Sequence, residues 1–381
     1  MKFVFVNEYY PPHIGGVEIV FSELAQRLVK LGHDCSVITC QVPNTKAYQE
    51  IDGVKVHRVR VPQRGDRYWF AFLAIPKVLR LAKSADLIQA TTFTGAFPAW
   101  LAAKLLRKKC VLTVHEVWGP SWQTLTEFNW FYSRLHWFLE KLIVSLPFNK
   151  YVCVSNHTRN SLKSAGIEDE KILVIYNGID EAMVASMSDA AAKRRELGLG
   201  NDFIYMFYGR PGISKGLEYL IQATPTILER IPNSRLLLIL ANEPRNRYHS
   251  IKAMIKDLAV DNEIIMLDPV PRNELPGYIA AADCVVVPSL SEGFGFTVAE
   301  ACALGRPVVA SNVASLPEVI SGRYVLVEPR NPGAIAEGVE KVFKGEVENS
   351  KQKIFSWDEC TRKYLQVYLE LTRRNEYPGC I

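Results

Sequence analysis

The chain has 381 residues, 48% of them hydrophobic and 22% charged, a balance that excludes disordered and fibrous classes. That length exceeds what one hydrophobic core organises, and two domains are expected. The formal net charge of +5 is uneven: residues 1–180 carry 22 Lys and Arg against 15 Asp and Glu (22 − 15 = +7), leaving 23 against 25 (23 − 25 = −2). The basic half either attracts an anionic lipid or a phosphorylated acceptor, or is a solvated face.

In chain order, short apolar runs alternate with longer segments of helical period, the pattern of parallel strands covered by crossover helices. Strands are expected at Lys2–Val6, Cys35–Thr39, Val54–Val59, Asp86–Ala90, Cys110–His115, Tyr151–Ser155 and Ile172–Tyr176, with a helix over Val17–Leu31 ended by Gly32. This half reads as an open parallel sheet. The second half repeats the scheme at Phe203–Tyr208, Arg235–Leu240, Glu263–Leu267, Cys284–Val287, Val308–Ala310 and Tyr324–Val327. The expected division is therefore an amino-terminal acceptor domain over 1–180, a connection over 181–200 and a carboxyl-terminal nucleotide-sugar domain over 201–355. A closing helix beginning at Ser356 and running to Arg373, within a terminal segment 356–381, is expected to pack back on the first domain.

The eight cysteines show no CxxC pair or metal-ligand spacing and read as small buried hydrophobes of a reducing compartment. The first apolar run is too short for a signal peptide, and no stretch approaches the roughly 18–20 apolar residues of a membrane span. A cytoplasmic protein is expected, free or attached to the inner membrane face.

Three loops carry candidate chemistry. The first, Asn7 to Glu18, leads from a strand into a helix, and Gly15 and Gly16 let backbone N–H groups at the helix start approach a phosphate or sugar; a Gly pair alone is equally a turn device. The second, Phe207 to Gly216, sets Arg210 and Lys215 on one glycine-rich loop with Gly209, suited to a diphosphate whose charge grows as a sugar departs. The third, Pro288 to Glu300, carries Glu292, Gly293, Phe294, Gly295, Phe296 and Glu300 across a strand-to-helix turn. There the glycines free amides at the positive helix end, and one carboxylate can reach the sugar while the other reaches the ribose.

With these motifs the chain resembles glycosyltransferase family four: retaining enzymes of the GT-B fold, an α/β architecture of two Rossmann-like parallel-sheet domains facing across a cleft. The resemblance runs from Pro-Pro-His-Ile-Gly-Gly through Asn177-Gly178-Ile179-Asp180, Gly209-Arg210 with Lys215-Gly216, Glu292-x7-Glu300 and Ala310-Ser311-Asn312 to Trp357. It implies that Arg210 and Lys215 hold the donor diphosphate, Glu300 the ribose, and Glu292 with the Gly293–Phe296 amides the sugar and phosphate. Gly15 and Gly16 would approach the diphosphate, Val270 would meet the nucleobase, and His115 would contact the donor sugar near the reaction centre. His115, Glu292, Arg210 and Lys215 form the implied catalytic set, transferring a hexose from a UDP- or GDP-sugar to a saccharide or lipid-linked acceptor. No cofactor is implied and no essential metal. One departure is Ala241 to Arg247, where the family often shows a glycine-rich turn.

Trp118, Trp122, Phe128, Trp130, Phe131, Trp137 and Phe138 follow His115 beside the basic surface; they suit a lipid-linked acceptor at an anionic membrane, or equally a buried helix with a loop that stacks on a soluble sugar. No nucleic-acid partner is expected. A sugar-nucleotide epimerase and a non-catalytic sugar-nucleotide binder are the rival readings. A dinucleotide oxidoreductase is disfavoured because no GxGxxG follows the first strand.

Overall fold

A computed structural model of the chain describes residues 1–13, 15–180 and 190–372. By its internal contacts the chain divides into two compact units. One comprises Met1–Pro120, Arg134–Gly178 and the residues from Ser356 onward; the other comprises Ser121–Ser133 and Ile179–Phe355.

The first unit is built on eight strands: β1 (Lys2–Val6), β2 (Asp34–Cys40), β3 (Tyr48–Ile51), β4 (Val54–Val59), β5 (Leu87–Thr91), β6 (Lys109–Val114), β7 (Lys150–Cys153) and β8 (Ile172–Val174). Their order is β3-β4-β2-β1-β5-β6-β7-β8. The helices are α1 (Gly16–Lys30), α2 (Asp66–Leu73), α3 (Ile75–Ala82), α4 (Ala96–Leu106), α5 (Trp122–Leu125), α6 (Trp130–Val144) and α7 (Asn156–Ser164); α5 and the first turn of α6 group with the second unit. Strands covered on both faces are largely apolar; β5 is buried along its whole length, and its Gln89 is held by internal hydrogen bonds.

The second unit has seven strands: β9 (Phe203–Gly209), β10 (Ser234–Leu240), β11 (Ile264–Leu267), β12 (Cys284–Val287), β13 (Val308–Ser311), β14 (Gly322–Val327) and β15 (Glu348–Ser350), ordered β11-β10-β9-β12-β13-β14-β15. The expectation of wholly parallel pairing needs correction at one edge of each sheet. β3 pairs antiparallel with β4, and β15 antiparallel with β14. Both are short, and β15 is wholly exposed; such polar edges carry no apolar run for the sequence to show.

In each sheet the chain reverses its direction of winding once. The reversal falls between β1 and β5 in the first unit and between β9 and β12 in the second. Ligands of doubly wound sheets collect at the carboxyl ends of such strand pairs, because the two following loops diverge and leave a crevice.

The helix Trp357–Thr372 belongs to the first unit; Arg373 lies outside the described residues, as do 181–189 of the expected connection. Its Tyr364 hydroxyl lies 3.0 Å from Thr113 Oγ1, and Tyr368 donates to Gln89 Oε1 at 3.0 Å. Gln89 Nε2 in turn donates to Thr113 Oγ1 at 2.6 Å, so every polar group of this buried cluster has a partner. All seven described cysteines are free and buried. No helix among the described residues is long and apolar enough to cross a membrane.

Gly178 packs directly against this helix: a Cβ there would lie 2.3 Å from Trp357 N and 2.5 Å from its Cα. Backbone cannot yield as a flexible side chain does. Gly178→Ala is expected to cost about 1–3 kcal/mol by overpacking, read as a lower urea midpoint with unchanged slope; an unchanged midpoint would contradict the packing.

Candidate functional site

The second unit's reversal brings the loops after β9 and β12 into contact. Gly216 has φ +61°, and a Cβ there would lie 2.1 Å from the carbonyl oxygen of Pro288. Only glycine permits that approach. Leu290 N then donates to Ser214 O at 2.7 Å. Across this seam Lys215 Nζ donates to Glu292 Oε1 at 2.7 Å, and Ser289 Oγ donates to the same oxygen at 2.8 Å. Ser315 Oγ fixes the Glu292 carbonyl at 2.9 Å. Glu292 is buried and Lys215 half-buried, so their attraction is less screened than on an open surface.

Just beyond, Gly293 and Gly295 precede the helix Phe296–Ala303, with Gly295 at its N-cap in the left-handed region, φ +91°. The Phe294 ring is buried and packs edge-to-face at 5.2 Å on both Phe296 and Phe355, so this side chain supports the turn, and Gly295 lets it pass close to Leu316, whose Cδ2 a Cβ would meet at 2.7 Å. The positive end of the helix dipole lies here.

Glu300, one turn on, is 2% exposed. Tyr208, near the end of β9, donates to its Oε2 at 3.0 Å, and Arg272 Nη2 donates to Oε1 at 2.8 Å. A buried carboxylate is tolerable when both oxygens are satisfied. Burial, and then the neighbouring Glu300 charge, pushes the Tyr208 hydroxyl well above its ordinary value, so Tyr208 stays a donor. Burial opposes the Arg272 charge, but Glu300 outweighs it and holds the guanidinium above its ordinary value. Val270 is half-buried two residues before Arg272. Gly209 ends β9 with φ +149°, and Arg210 beside it is exposed. The second unit thus gathers Gly209, Arg210, Lys215, Glu292, Gly293, Phe294, Gly295, Phe296 and Glu300 on the two loops and helix start at its reversal, with Val270 on the loop after β11.

In the first unit, Gly15 caps α1 and Gly16 begins it. Glu18 in the first turn lies close over Gly15, where its Oε2 would stand 2.3 Å from a Cβ. His115 follows β6; its ring is 6.3 Å from Phe21, its carbonyl accepts from Thr158 Oγ1 at 3.1 Å, and its Nε2 is buried with no partner among the described residues. Burial pushes His115 down to about 4, against a weaker opposite pull from Glu18.

Sequence reasoning missed several residues at these reversals. Arg272 and Tyr208 cradle Glu300, yet one lies in a loop and the other inside an apolar strand, and neither forms a motif. In the first unit Thr94, after β5, donates to Glu8 Oε2 at 2.9 Å, and Arg67 Nε lies 3.1 Å from Glu8 Oε1. Burial raises the Glu8 carboxyl above its ordinary value, opposed by Arg67. Glu8, Arg67 and Thr94 are 27 or more residues apart in sequence, so only the fold assembles them.

Two doubly wound units with polar loops at their reversals define the GT-B class of fold. Residues 14–182 match the model of Glycosyltransferase Family 4 and residues 189–356 that of Glycosyl transferases group 1. An uncharacterized glycosyltransferase of Methanocaldococcus jannaschii is 29% identical over 397 positions, covering 97% of this chain and 98% of that protein. The sucrose-phosphate synthase structure from Thermosynechococcus elongatus superposes with TM-score 0.79 at 20% identity, over 98% of this chain and 100% of that one. The Anabaena HepE structure in complex with UDP-glucose superposes with TM-score 0.76 at 20% identity, over 97% and 100%. The chain belongs to glycosyltransferase family four and is a glycosyltransferase.

Two predictions test the site. His115 is neutral in the fold down to about pH 4, while in the unfolded chain it takes up a proton near 6.5. Its contribution to stability is therefore intact above pH 6.5 and lost as pH falls through 4. Nitrogen-detected NMR should show no His115 protonation between pH 5.5 and 7.5; a midpoint near 6.5 would contradict its burial. Arg272→Ala leaves one oxygen of buried Glu300 without its charged partner; because the Arg272 side chain is itself 41% exposed and partly screened by water, the expected loss is about 1–3 kcal/mol, with Arg272→Lys intermediate; a melting curve matching the parent for Arg272→Ala would show the pair to be dispensable.

Proposed function

We propose that the protein transfers a hexose from a UDP- or GDP-sugar to a saccharide or lipid-linked acceptor with retention at the anomeric carbon. The observation that carries this reading is the Lys215–Glu292 pair, locked by Ser289 at the reversal of the second unit. The HepE complex supports the donor class, since that fold neighbour holds UDP-glucose.

In this reading Arg210 and Lys215 neutralise the diphosphate as the glycosyl oxygen bond breaks, and the helix start at Gly295 adds its dipole. Lys215 is then shared between phosphate and Glu292, whose second oxygen is available to a sugar hydroxyl. Glu300, held by Tyr208 and Arg272, accepts from the ribose hydroxyls. Neutral His115 offers its Nε2 to a sugar hydroxyl, which an imidazolium with both nitrogens donating could do only as a donor. The acceptor is held by the first unit, where Glu8 and Thr94 provide hydrogen-bonding oxygens. The new bond forms between acceptor oxygen and anomeric carbon; the nucleoside diphosphate leaves with the electron pair, and the acceptor proton passes to a diphosphate oxygen.

Lys215→Ala and Glu292→Gln are each expected to lower turnover at least about 100-fold while the fold is retained by circular dichroism. The measurement is nucleoside diphosphate release from a panel of UDP- and GDP-sugars with and without acceptor, and EDTA is expected to leave it unchanged. Release of diphosphate with formation of a free epimerised sugar, or binding of a sugar nucleotide without turnover under any acceptor, would sink the transferase scheme in favour of a rival. An α-linked product from an α-linked donor supports retention, and a β-linked product refutes it.

A further inference from the structure

Helix α6 turns an apolar stripe outward. Phe131, Leu135, Phe138 and Leu142 recur at i, i+4, i+7 and i+11, one stripe of a helix, and all four are exposed, Phe138 by 63%. The inward line carries Ser133 and Glu140, 3% and 1% exposed, and reaches the core only at its end, through Val144, 1% exposed. Glu140 is committed to the fold, accepting from the backbone N–H groups of Trp118 and Gly119 at 2.9 and 2.7 Å. An apolar stripe turned to water is unfavourable for an isolated protein and marks a surface that something covers.

The stripe does not stand alone. On α2, Tyr68, Trp69, Phe72 and Leu73 are also exposed, and the Tyr68 hydroxyl meets His136 of α6. Phe72 lies 6.0 Å from Phe97 of α4, which lies 6.2 Å from Trp100. Lys104 sits 5.0 Å over the Trp100 ring. Aromatic rings therefore run from α4 across α2 to the part of α6 within the first unit.

Charge decides the partner. α2, α4 and α6 carry exposed Lys104, Arg134 and Lys141 against Asp66 and Glu140, with Arg67 of α2 turned to Glu8. Both carboxylates are turned to internal donors, Asp66 to the Tyr9 hydroxyl and Glu140 to the two amides. Exposed Arg64 precedes α2 and exposed Arg107 caps α4. Exposed Phe and Trp set among Arg and Lys, with no outward acid on these helices, match a bilayer whose headgroups are anionic: the rings enter the headgroup–acyl boundary and the cations meet the phosphates. A protein partner of the usual kind would supply polar rim contacts of both signs.

We infer that the face formed by α2, α4 and α6 of the first unit docks on an anionic lipid bilayer. A cavity of about 470 Å³ whose walls include Trp137, Glu140 and Lys141 of α6 then borders the bilayer surface.

The test is vesicle flotation of the full chain, which reads binding without turnover and so stands apart from the transferase reading. Vesicles of phosphatidylcholine with 30% phosphatidylglycerol (about that fraction suffices for a strong surface potential) are expected to carry the protein upward, and pure phosphatidylcholine far less. Raising salt from about 0.05 to 0.5 M shortens the Debye length to a few ångströms and should release most of it. Phe72→Glu with Phe138→Glu should reduce the bound fraction at least about tenfold with an unchanged melting temperature, while Ile354→Glu, exposed on the second unit, should bind like the parent. The inference falls if the parent stays unbound, if it binds both vesicle types equally, or if the double variant floats like the parent. It falls also if sedimentation shows a parent dimer that the double variant dissociates, since a second copy would then cover the face.

Discussion

The contact between Gly216 and the carbonyl of Pro288 is the constraint on which the second unit's site depends. Because no side chain stands between them, the loops after β9 and β12 can touch, and a lysine from one reaches a carboxylate on the other. Separate the loops by one methyl group and the Lys215–Glu292 pair loses its geometry. The two serines, 289 and 315, act on the same carboxylate residue from its side chain and its backbone, which leaves Glu292 little rotameric freedom. Such fixing matters in electrostatic catalysis, where charges that need no reorganisation are the effective ones.

Glu300 illustrates the other half of that logic. A carboxylate with 2% exposure is stable in the fold because a phenol and a guanidinium divide its two oxygens. Tyr208 reaches it from a strand and Arg272 from a loop, so the acid is held by the sheet as much as by its own helix. In the first unit His115 shows burial acting on a base: desolvation keeps the imidazole neutral, and the buried Nε2 is aimed where no described side chain meets it.

The closing helix and α6 make a contrast within the first unit. The helix Trp357–Thr372 hides Trp357, Tyr364 and Tyr368 and gives each phenol a partner. α6 does the reverse, presenting phenylalanines outward and a glutamate inward. Both helices have aromatic sequences, and composition alone does not separate them. What separates them is Glu140, whose two backbone partners orient the helix.

The sequence by itself determined the alternation of strands and helices, since buried parallel strands are nearly continuous apolar runs and those are visible without a structure. It determined the glycine-rich loops and the Glu292-x7-Glu300 spacing as well, because motif residues adjacent in sequence share a turn. The two antiparallel edge strands were illegible, being short, polar and stabilised only by a neighbour. Tertiary structure alone decided that Tyr208 and Arg272 meet Glu300, that Glu8 meets Thr94 and Arg67, and which face of α6 is turned outward. In each case the partners are distant along the chain, and only chain reversal between adjacent strands, or a buried hydrogen bond to a remote loop, brings them together.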